Sequence, residues 1–455
     1  MLNKKRPAPH YYQSLLAEET NEVPSIFREA GDVGPSRRTL STERYLSQAF
    51  HDLEVERMWS RTWQATCRET EIPNAGDIHV YEIAKYSILI VRTPAGSIKA
   101  FRNACLHRGR RLRTGSGNAA QLKCPYHGFC WSLDGEFMGA PCAWDFPHVD
   151  KECFGLPEVR VGLWGGWVFV NLADDTPSLE DYLGVIPRHF QHWEPENRYK
   201  AIHVEKVIGC NWKVASEAFM ESHHILATHP QLVTYFSDAN SQYDIYGENV
   251  SRTITPLGVP SPHIGQAKPE KIVNDWLAQT GRAPRGQKMT VPDDVSARSY
   301  LADMFIKQYS AMYQRDLSAR ATRTEVLDAI FYSIFPNFAP WGGLGPNLVY
   351  RFKPYDDRPD KCTMELMMLA PYPRGSLRPK DCRVHRLEEQ QSFSEAVELL
   401  GLEKIIEQDM GNLSWVQKGL ASLKSGEIVL SEYQEVRIAH FHETLGSYVE
   451  EAAPQ

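Results

Sequence analysis

Short runs of β-branched and aromatic residues dominate the chain from Thr62 to about Leu172, among them Ile78-His-Val-Tyr-Glu-Ile and Ser87-Ile-Leu-Ile-Val-Arg. Turn-forming Pro94-Ala-Gly, Asp134-Gly and Gly165-Gly separate them, a pattern that predicts a small all-β domain built from hairpins. Trp164-Gly-Gly-Trp167-Val-Phe-Val fits its closing strand, where the glycines allow close backbone approach. Upstream, Tyr45, Phe50, Leu53, Val55 and Met58 recur at helical spacing, with Ser41 the expected N-cap and Glu43 an acid in the first turn. Residues 1–40 show no sustained periodicity and read as an arm ordered, if at all, by packing on something else.

From Leu179 onward helical patterns alternate with strand-like runs at Ile202–Ile208, Phe331–Phe335, Leu348–Phe352 and Cys362–Leu369, which predicts an α+β domain. The polar stretch from Ser237 to Asp294 lacks clear periodicity, and long segments of that kind are lids or disordered. The expected organisation is an arm over 1–40, the β domain with its leading helices over 41–172 and the α+β domain over 173–455. A hydrophobic share of 42% with 24% charged residues excludes disorder for the bulk of it.

A formal charge of −7 without a Lys/Arg run argues against nucleic acid as a partner. No stretch approaches the ~18 apolar residues of a membrane span, and no apolar segment follows the basic start, so the expectation is a cytoplasmic protein with no membrane partner. Nine cysteines, odd in number and irregularly spaced, do not make a disulfide framework; some should bind metal and others be buried.

Candidate metal chemistry starts with two half-motifs, Cys105-Leu-His107 and Cys124-Pro-Tyr-His127, each followed closely by a glycine. A zinc finger groups Cys with Cys and His with His, whereas a Rieske [2Fe–2S] centre needs two Cys on one iron and two His on the other. Two loops that each supply one Cys and one His suit the second need. Cys130, Cys142 and Cys153 lack this pairing and read as structural.

Cys105-Leu-His-Arg-Gly and Cys124-Pro-Tyr-His-Gly-Phe-Cys-Trp resemble the cluster-binding loops of the Rieske non-haem iron oxygenases, the terminal components of ring-hydroxylating systems. The resemblance runs from about Ser41 to Gly446 and includes Asn103 and Arg108. It implies that Cys105, His107, Cys124 and His127 bind the cluster. It also implies an α+β architecture: an all-β Rieske domain placed before a helix-grip domain, a curved antiparallel sheet gripping a long helix.

A second constellation lies in Asn211-Trp-Lys to His229-Pro230, which holds three His and two Glu. A mononuclear non-haem iron site needs two His and one carboxylate with open positions for dioxygen and substrate. His224 and His229 are the candidate pair. Five residues span about 500° of ideal helix, leaving the two about 140° off a common face. The pairing therefore requires an irregularity, which Pro230 favours by disfavouring α geometry at His229. The resembling family has its two iron-binding His at this spacing. Here His223 stands where that family often has Tyr, making it a rival ligand, and Glu221 stands where many members have Asp.

Glu221 lies one turn before His224, where a carboxylate holds an imidazole N–H. The resemblance gives it a catalytic role, bridging the iron-binding His to a cluster-binding His of a neighbouring subunit, and hence a head-to-tail homotrimer, with or without a small β subunit. The bland reading of Glu217 and Glu221 is a solvated helix face. For the third ligand, helical spacing leaves Glu403, Glu407 and Asp409 open. The family pattern of an Asp eight residues before Gln-x-Gly-Leu selects Asp409, ahead of Gln417-Lys-Gly-Leu420.

His440 and His442, like His189 and His192, read as structural. Phe219, Met220, Leu232, Val233, Phe236 and the run Phe335 to Trp341 are equally candidates for an apolar pocket and for core. No aromatic cage for a quaternary ammonium stands out. The implied function is a terminal oxygenase holding a Rieske cluster and mononuclear Fe(II). A reductase or ferredoxin supplies electrons, since no G-x-G-x-x-G fingerprint occurs, and dioxygen attacks a small aromatic or hydrophobic substrate. Ring dioxygenation is the first expectation. Monooxygenation or demethylation of an amine, quaternary ammonium or steroid is the alternative, and an electron carrier without oxygenase activity the second alternative.

Overall fold

The computed structural model describes residues 11–34, 38–280 and 288–450. Two compact units make up the chain: Asp52–Tyr182, and the residues up to His51 together with those from Leu183 onward. The smaller unit is thus inserted into the chain of the larger.

In the smaller unit seven strands form one sheet, in spatial order Gln64–Arg68, Trp167–Asn171, Glu158–Trp164, Ile98–Arg102, Tyr86–Arg92, Asp77–Ile83 and Gly117–Asn118. Trp164 and Trp167 pair directly across Gly165 and Gly166, both at positive φ, so the pattern read as a closing strand is a tight hairpin. A second sheet of Leu122–Lys123, Cys130–Trp131 and Phe137–Gly139 carries one of the two Cys/His loops. Phe129, Trp131, Leu122 and Leu133 pack with Phe101 and Leu89 into a core that includes both Cys105 and Cys124.

The larger unit is built on eight strands: β1 (Arg198–Ile208), β2 (Gln242–Tyr246), β3 (Val250–Thr255), β4 (Ala329–Ile334), β5 (Phe338–Pro340), β6 (Asn347–Pro354), β7 (Cys362–Pro371) and β8 (His385–Leu387). Their spatial order is β2-β3-β4-β5-β6-β7-β1-β8, antiparallel throughout except β1 with β8. Four helices carry or flank the residues of the site: α1 (Trp212–Glu217), α2 (Ile225–Thr228), α3 (Leu402–Leu420) and α4 (Val436–Val449). The expected α+β class and curved antiparallel sheet hold. Registers set Thr253 opposite Phe331 and Ser251 opposite Ser333, so by strand alternation Ser251, Thr253, Thr255, Phe331 and Ser333 share one face.

The opposite face bears Arg252, Asp244 and Tyr332, and the segment 11–34 covers it. Tyr12, Leu16 and Phe27 are buried there, and Arg252 donates to Ile26 O at 2.7 Å and Glu29 O at 2.9 Å. The N-terminal arm is therefore ordered by packing, over its described part. Several expectations need correction. Thr39–Ser41 is a strand paired with Glu427–Val429, so Ser41 does not cap a helix; Thr42 precedes Glu43–Leu46. Tyr45 of that helix is buried in the larger unit, accepting through its carbonyl from Asn211 Nδ2 at 3.0 Å, so the division falls at Asp52 and not before Ser41. The stretch 237–294, expected to be irregular, contains β2, β3 and the helix Pro269–Gln279; residues 281–287 lie outside the described ones. Among the described residues no helix is long and apolar enough to cross a membrane.

Candidate active site and cluster-binding loops

The two Cys/His loops of the smaller unit are built alike. Cys105 N–H donates to Arg110 O and Gly109 N–H to Cys105 O, both at 2.8 Å; Cys124 N–H donates to Phe129 O at 2.8 Å and Gly128 N–H to Cys124 O at 3.0 Å. Gly109 and Gly128 close these turns at φ 72° and 76°, a region that other residues rarely enter. Asn103 braces the first loop, accepting from Arg113 N–H and donating to Arg113 O and Ser87 Oγ. Arg108 lies over the Tyr126 ring of the second loop, 5.5 Å from its centroid.

Both thiols are buried and adjacent: burial pushes Cys105 up, the backbone N–H of His107 opposes this, and the nearby Cys124 adds to it. The His107 and His127 rings stand 4.8 Å apart at 72°, with His107 stacked on Phe129. His107 Nδ1 is enclosed and has no hydrogen-bond partner among the described residues. Two thiols, two imidazoles and an enclosed ring nitrogen without a partner among the described residues fit a cluster with two Cys and two His ligands. Cys142 and Cys153, read as structural, are exposed, and Cys130 is half-buried.

In the larger unit Asn211 caps α1 by accepting from Lys213 N–H at 3.0 Å. The helix ends at Glu217, the chain turns, and α2 is a single short segment between His224 and His229. His229 adopts φ −124° and ψ 55°, outside helical geometry, as its neighbour Pro230 demands. This break is the irregularity that the spacing required, and it gathers His224, His229 and Asp409 of α3 so that one ligand atom of each lies within 4.8 Å of the others.

Hydrogen bonding behind the two imidazoles decides where their free nitrogens point. Glu221 Oε1 accepts from His224 Nδ1 at 2.6 Å, and Gln408 Oε1 accepts from His229 Nδ1 at 2.9 Å. Each Nε2 then carries a lone pair aimed at one carboxylate: His229 Nε2 is 2.8 Å and His224 Nε2 3.7 Å from Asp409 Oδ1. Lone pairs facing an anion repel unless a proton or cation stands between them, so this donor set fits a metal cation held by two His and one Asp. Burial raises the Glu221 carboxyl, but the hydrogen bond and charge of His224, with His223, outweigh it and hold it below its usual range. For His224 burial acts downward, and Glu221, Asp409 and Asp238 together lift it above the ordinary imidazole value.

The rivals fall elsewhere. His223 is 43% exposed, and its Nδ1 meets Glu221 Oε2 at 3.2 Å. Glu407 accepts from Ser392 Oγ and Phe393 N–H, and Glu403 from Gly401 N–H. Glu217 is no solvated face: Tyr45 Oη at 3.1 Å and His442 Nε2 at 2.7 Å bond it, and burial pushes it up to about 8. His440, bonded to Gly247 O, and His442 are structural, as expected. Sequence reasoning missed Gln408, whose position beside Asp409 was its one available signal.

A cavity of about 880 Å³, including its mouth, opens at His224, His229 and Asp409. Of the residues left open between pocket and core, Phe219, Leu232, Phe236 and Trp341 line it, joined by Phe331, Tyr350, Ile405 and Ile406. Met220, Phe335 and Phe338 line a different cavity, and Val233 is core. Phe331, Trp341 and Tyr350 have centroids 5.9, 6.1 and 6.5 Å apart and mutual tilts of 52° to 78°, so they form an aromatic corner that the sequence did not reveal.

The family model described as Rieske [2Fe-2S] domain matches residues 62–150, and that described as ring hydroxylating alpha subunit (catalytic domain) matches 188–451. The glycine betaine monooxygenase oxygenase subunit of Pseudomonas aeruginosa is 31% identical over 192 residues, 42% of this chain and 44% of the relative. The biphenyl 2,3-dioxygenase subunit alpha of Rhodococcus jostii is 36% identical over 181 residues, 38% and 39% of the two chains. The alignments thus span under half the length of these curated relatives. A quaternary ammonium Rieske monooxygenase solved with L-carnitine superposes with a TM-score of 0.64 at 17% identity, covering 91% of this chain and 96% of that one. Naphthalene 1,2-dioxygenase from Rhodococcus sp. bound to indole gives 0.61 at 19%, over 91% and 95%. At such identities the likeness is one of fold.

Proposed function

Because this chain belongs to the Rieske ring-hydroxylating oxygenase alpha subunits, the catalytic-domain model alone matching more than half of it, we propose that it is a terminal oxygenase acting on a small aromatic or otherwise hydrophobic substrate. The observation that carries this reading is the apolar, aromatic-walled cavity ending on His224, His229 and Asp409. The family implies a [2Fe–2S] cluster and a mononuclear iron; when bound, they supply electron relay and dioxygen activation.

Cys105, His107, Cys124 and His127 hold the cluster, and His224, His229 and Asp409 hold the iron. Glu221 fixes His224 with its Nε2 bare, and Gln408 does the same for His229. Phe219, Phe331, Trp341 and Tyr350 exclude water and orient an arene by its faces. Electrons come from a separate reductase or ferredoxin. Glu221 carries the contact to a cluster-binding imidazole of a neighbouring copy in a head-to-tail ring, and light scattering of the purified protein tests the trimer.

Ring dioxygenation is the favoured outcome. The aromatic corner of Phe331, Trp341 and Tyr350 supports a second reading, since methylammonium groups also bind ring faces, and oxidation would then remove a methyl group. Turnover under labelled dioxygen, with arenes and quaternary ammonium compounds as parallel substrates, decides: two labelled oxygens in a cis-diol support the first, and one labelled oxygen with released formaldehyde the second. Absence of any labelled product with a competent electron donor refutes both and leaves the electron-carrier alternative.

A further inference from the structure

Arg437, in the first turn of α4, is fully buried on the sheet face that walls the iron cavity. Its guanidinium donates to Ser251 Oγ at 3.0 Å, Thr253 Oγ1 at 2.5 Å, Ser333 Oγ at 2.6 Å and Met220 O at 3.2 Å. It also lies 5.0 Å from the centroid of Phe331. Four of five N–H groups are thereby used, all on neutral acceptors. Buried Arg252, Arg298 and Arg351 differ: each is paired with a carboxylate, Asp244, Asp328 and Glu365. Arg198, buried and likewise bonded to neutral oxygens, lines another cavity and has all its donors engaged.

An unpaired buried guanidinium is costly, because neutral hydroxyls replace hydration only in part. Consistently, burial pulls Arg437 down to about 9, opposed only by Tyr243 and Asp244. Thr253 is the link to the cavity. It lines the cavity opposite Phe331, its Oγ1 accepts from Arg437, and its own hydroxyl proton has no acceptor among the described residues. A hydroxyl polarised in this way is a strong donor to an anionic oxygen.

Resting on the oxygenase reading above, we propose that the substrate of this cavity carries a carboxylate, which docks on Thr253 with Arg437 behind it while the apolar remainder lies against Phe331, Trp341 and Tyr350. The shared chemistry is a carboxylate on a small apolar body, and two sources fit: an aromatic acid, or a zwitterion with a quaternary ammonium group.

The test is calorimetric binding to the iron-loaded holoenzyme under anaerobic conditions, without reductant, so that turnover plays no part. Benzoate is compared with benzamide, and glycine betaine with choline. The expectation is that one acid binds at least about tenfold tighter than its uncharged or carboxylate-free counterpart, the margin of a charge-assisted hydrogen bond. Thr253→Val, a near-isosteric change, should remove most of that margin and leave the counterpart unchanged, and Arg437→Gln should do the same if it folds. Benzoate or betaine being the tighter ligand identifies the source. Equal binding of acid and counterpart, or a margin that survives Thr253→Val, overturns the proposal. Oxygenation of neutral substrates alongside that result leaves the oxygenase reading intact. Tight carboxylate binding without any oxygenated product keeps the anchor and sinks the oxygenase reading.

Discussion

Replacing Gln408 by Leu removes the acceptor behind His229 without touching a proposed ligand. His229 is 2% exposed, so water has little access to its Nδ1, and the 2.9 Å bond to Gln408 Oε1 is the ring's hold on that side. Gln231 Nε2 donates to the same Oε1 at 2.6 Å and keeps the amide turned the right way. Losing a neutral hydrogen bond and leaving a buried N–H unsatisfied costs roughly 1.5–2.5 kcal/mol, and at 1.4 kcal/mol per decade that is about 10- to 70-fold in affinity for ferrous iron. Mutations of partners behind metal ligands give comparable losses of about 10- to 100-fold. Competition with a calibrated chelator on protein with intact cluster and empty iron site measures the change, and Gln408→Glu, which retains an acceptor, should lose far less. Iron affinity within twofold of wild type in Gln408→Leu, at unchanged cluster content, would refute the claim that this amide orients His229.

Anaerobically purified protein should hold about three irons and two acid-labile sulfides per chain, with zinc absent. His224→Ala should lower this to about two and two, whereas Cys124→Ser should abolish the sulfide; elemental analysis reads both. Glu221→Gln should leave iron content nearly intact and slow re-reduction of the iron site, measured as about a hundredfold loss of multiple turnover against a preserved single turnover. Glu217 gives a pH prediction. Its folded value of about 8 lies above the unfolded one, so the folded state loses stability as pH rises from about 4.5 to 8 and levels off beyond. Glu217→Gln should therefore stabilise the protein at pH 9, by at most about 5 kcal/mol, and change little at pH 4.5, as urea unfolding at the two pH values will show.

Both candidate metal sites were legible in outline because most of their proposed ligands sit in short local patterns: the twin Cys/His turns need nearby residues and one glycine each, and His224 and His229 are five apart. Asp409 was reachable only through resemblance, since spacing on α3 leaves Glu403 and Glu407 equivalent; their contacts distinguish them, Glu403 accepting from Gly401 N–H at the start of α3 and Glu407 from Phe393 N–H of a separate short helix. The strand Val250–Thr255 escaped notice because its Ser251, Thr253 and Thr255 are polar residues that face inward. Ser251 and Thr253 are buried against Arg437, 184 residues or more along the chain, a partner that no window of sequence includes. The arm over 11–34 hid for the same kind of reason: its order comes from Arg252 and from a sheet face closed by distant strands.

The pairing of Thr39–Ser41 with Glu427–Val429 sets a schedule for the newborn chain. At a synthesis rate of about 5–20 residues per second, the first strand waits roughly 20–80 s on the ribosome for its partner to be made. The inserted Asp52–Tyr182 unit is complete long before, and can fold and acquire its cluster in that interval. Slow codons or chaperone depletion should therefore expose the early N-terminal segment to proteolysis while sparing the inserted unit, so nascent-chain losses would concentrate in molecules that already carry a finished cluster domain.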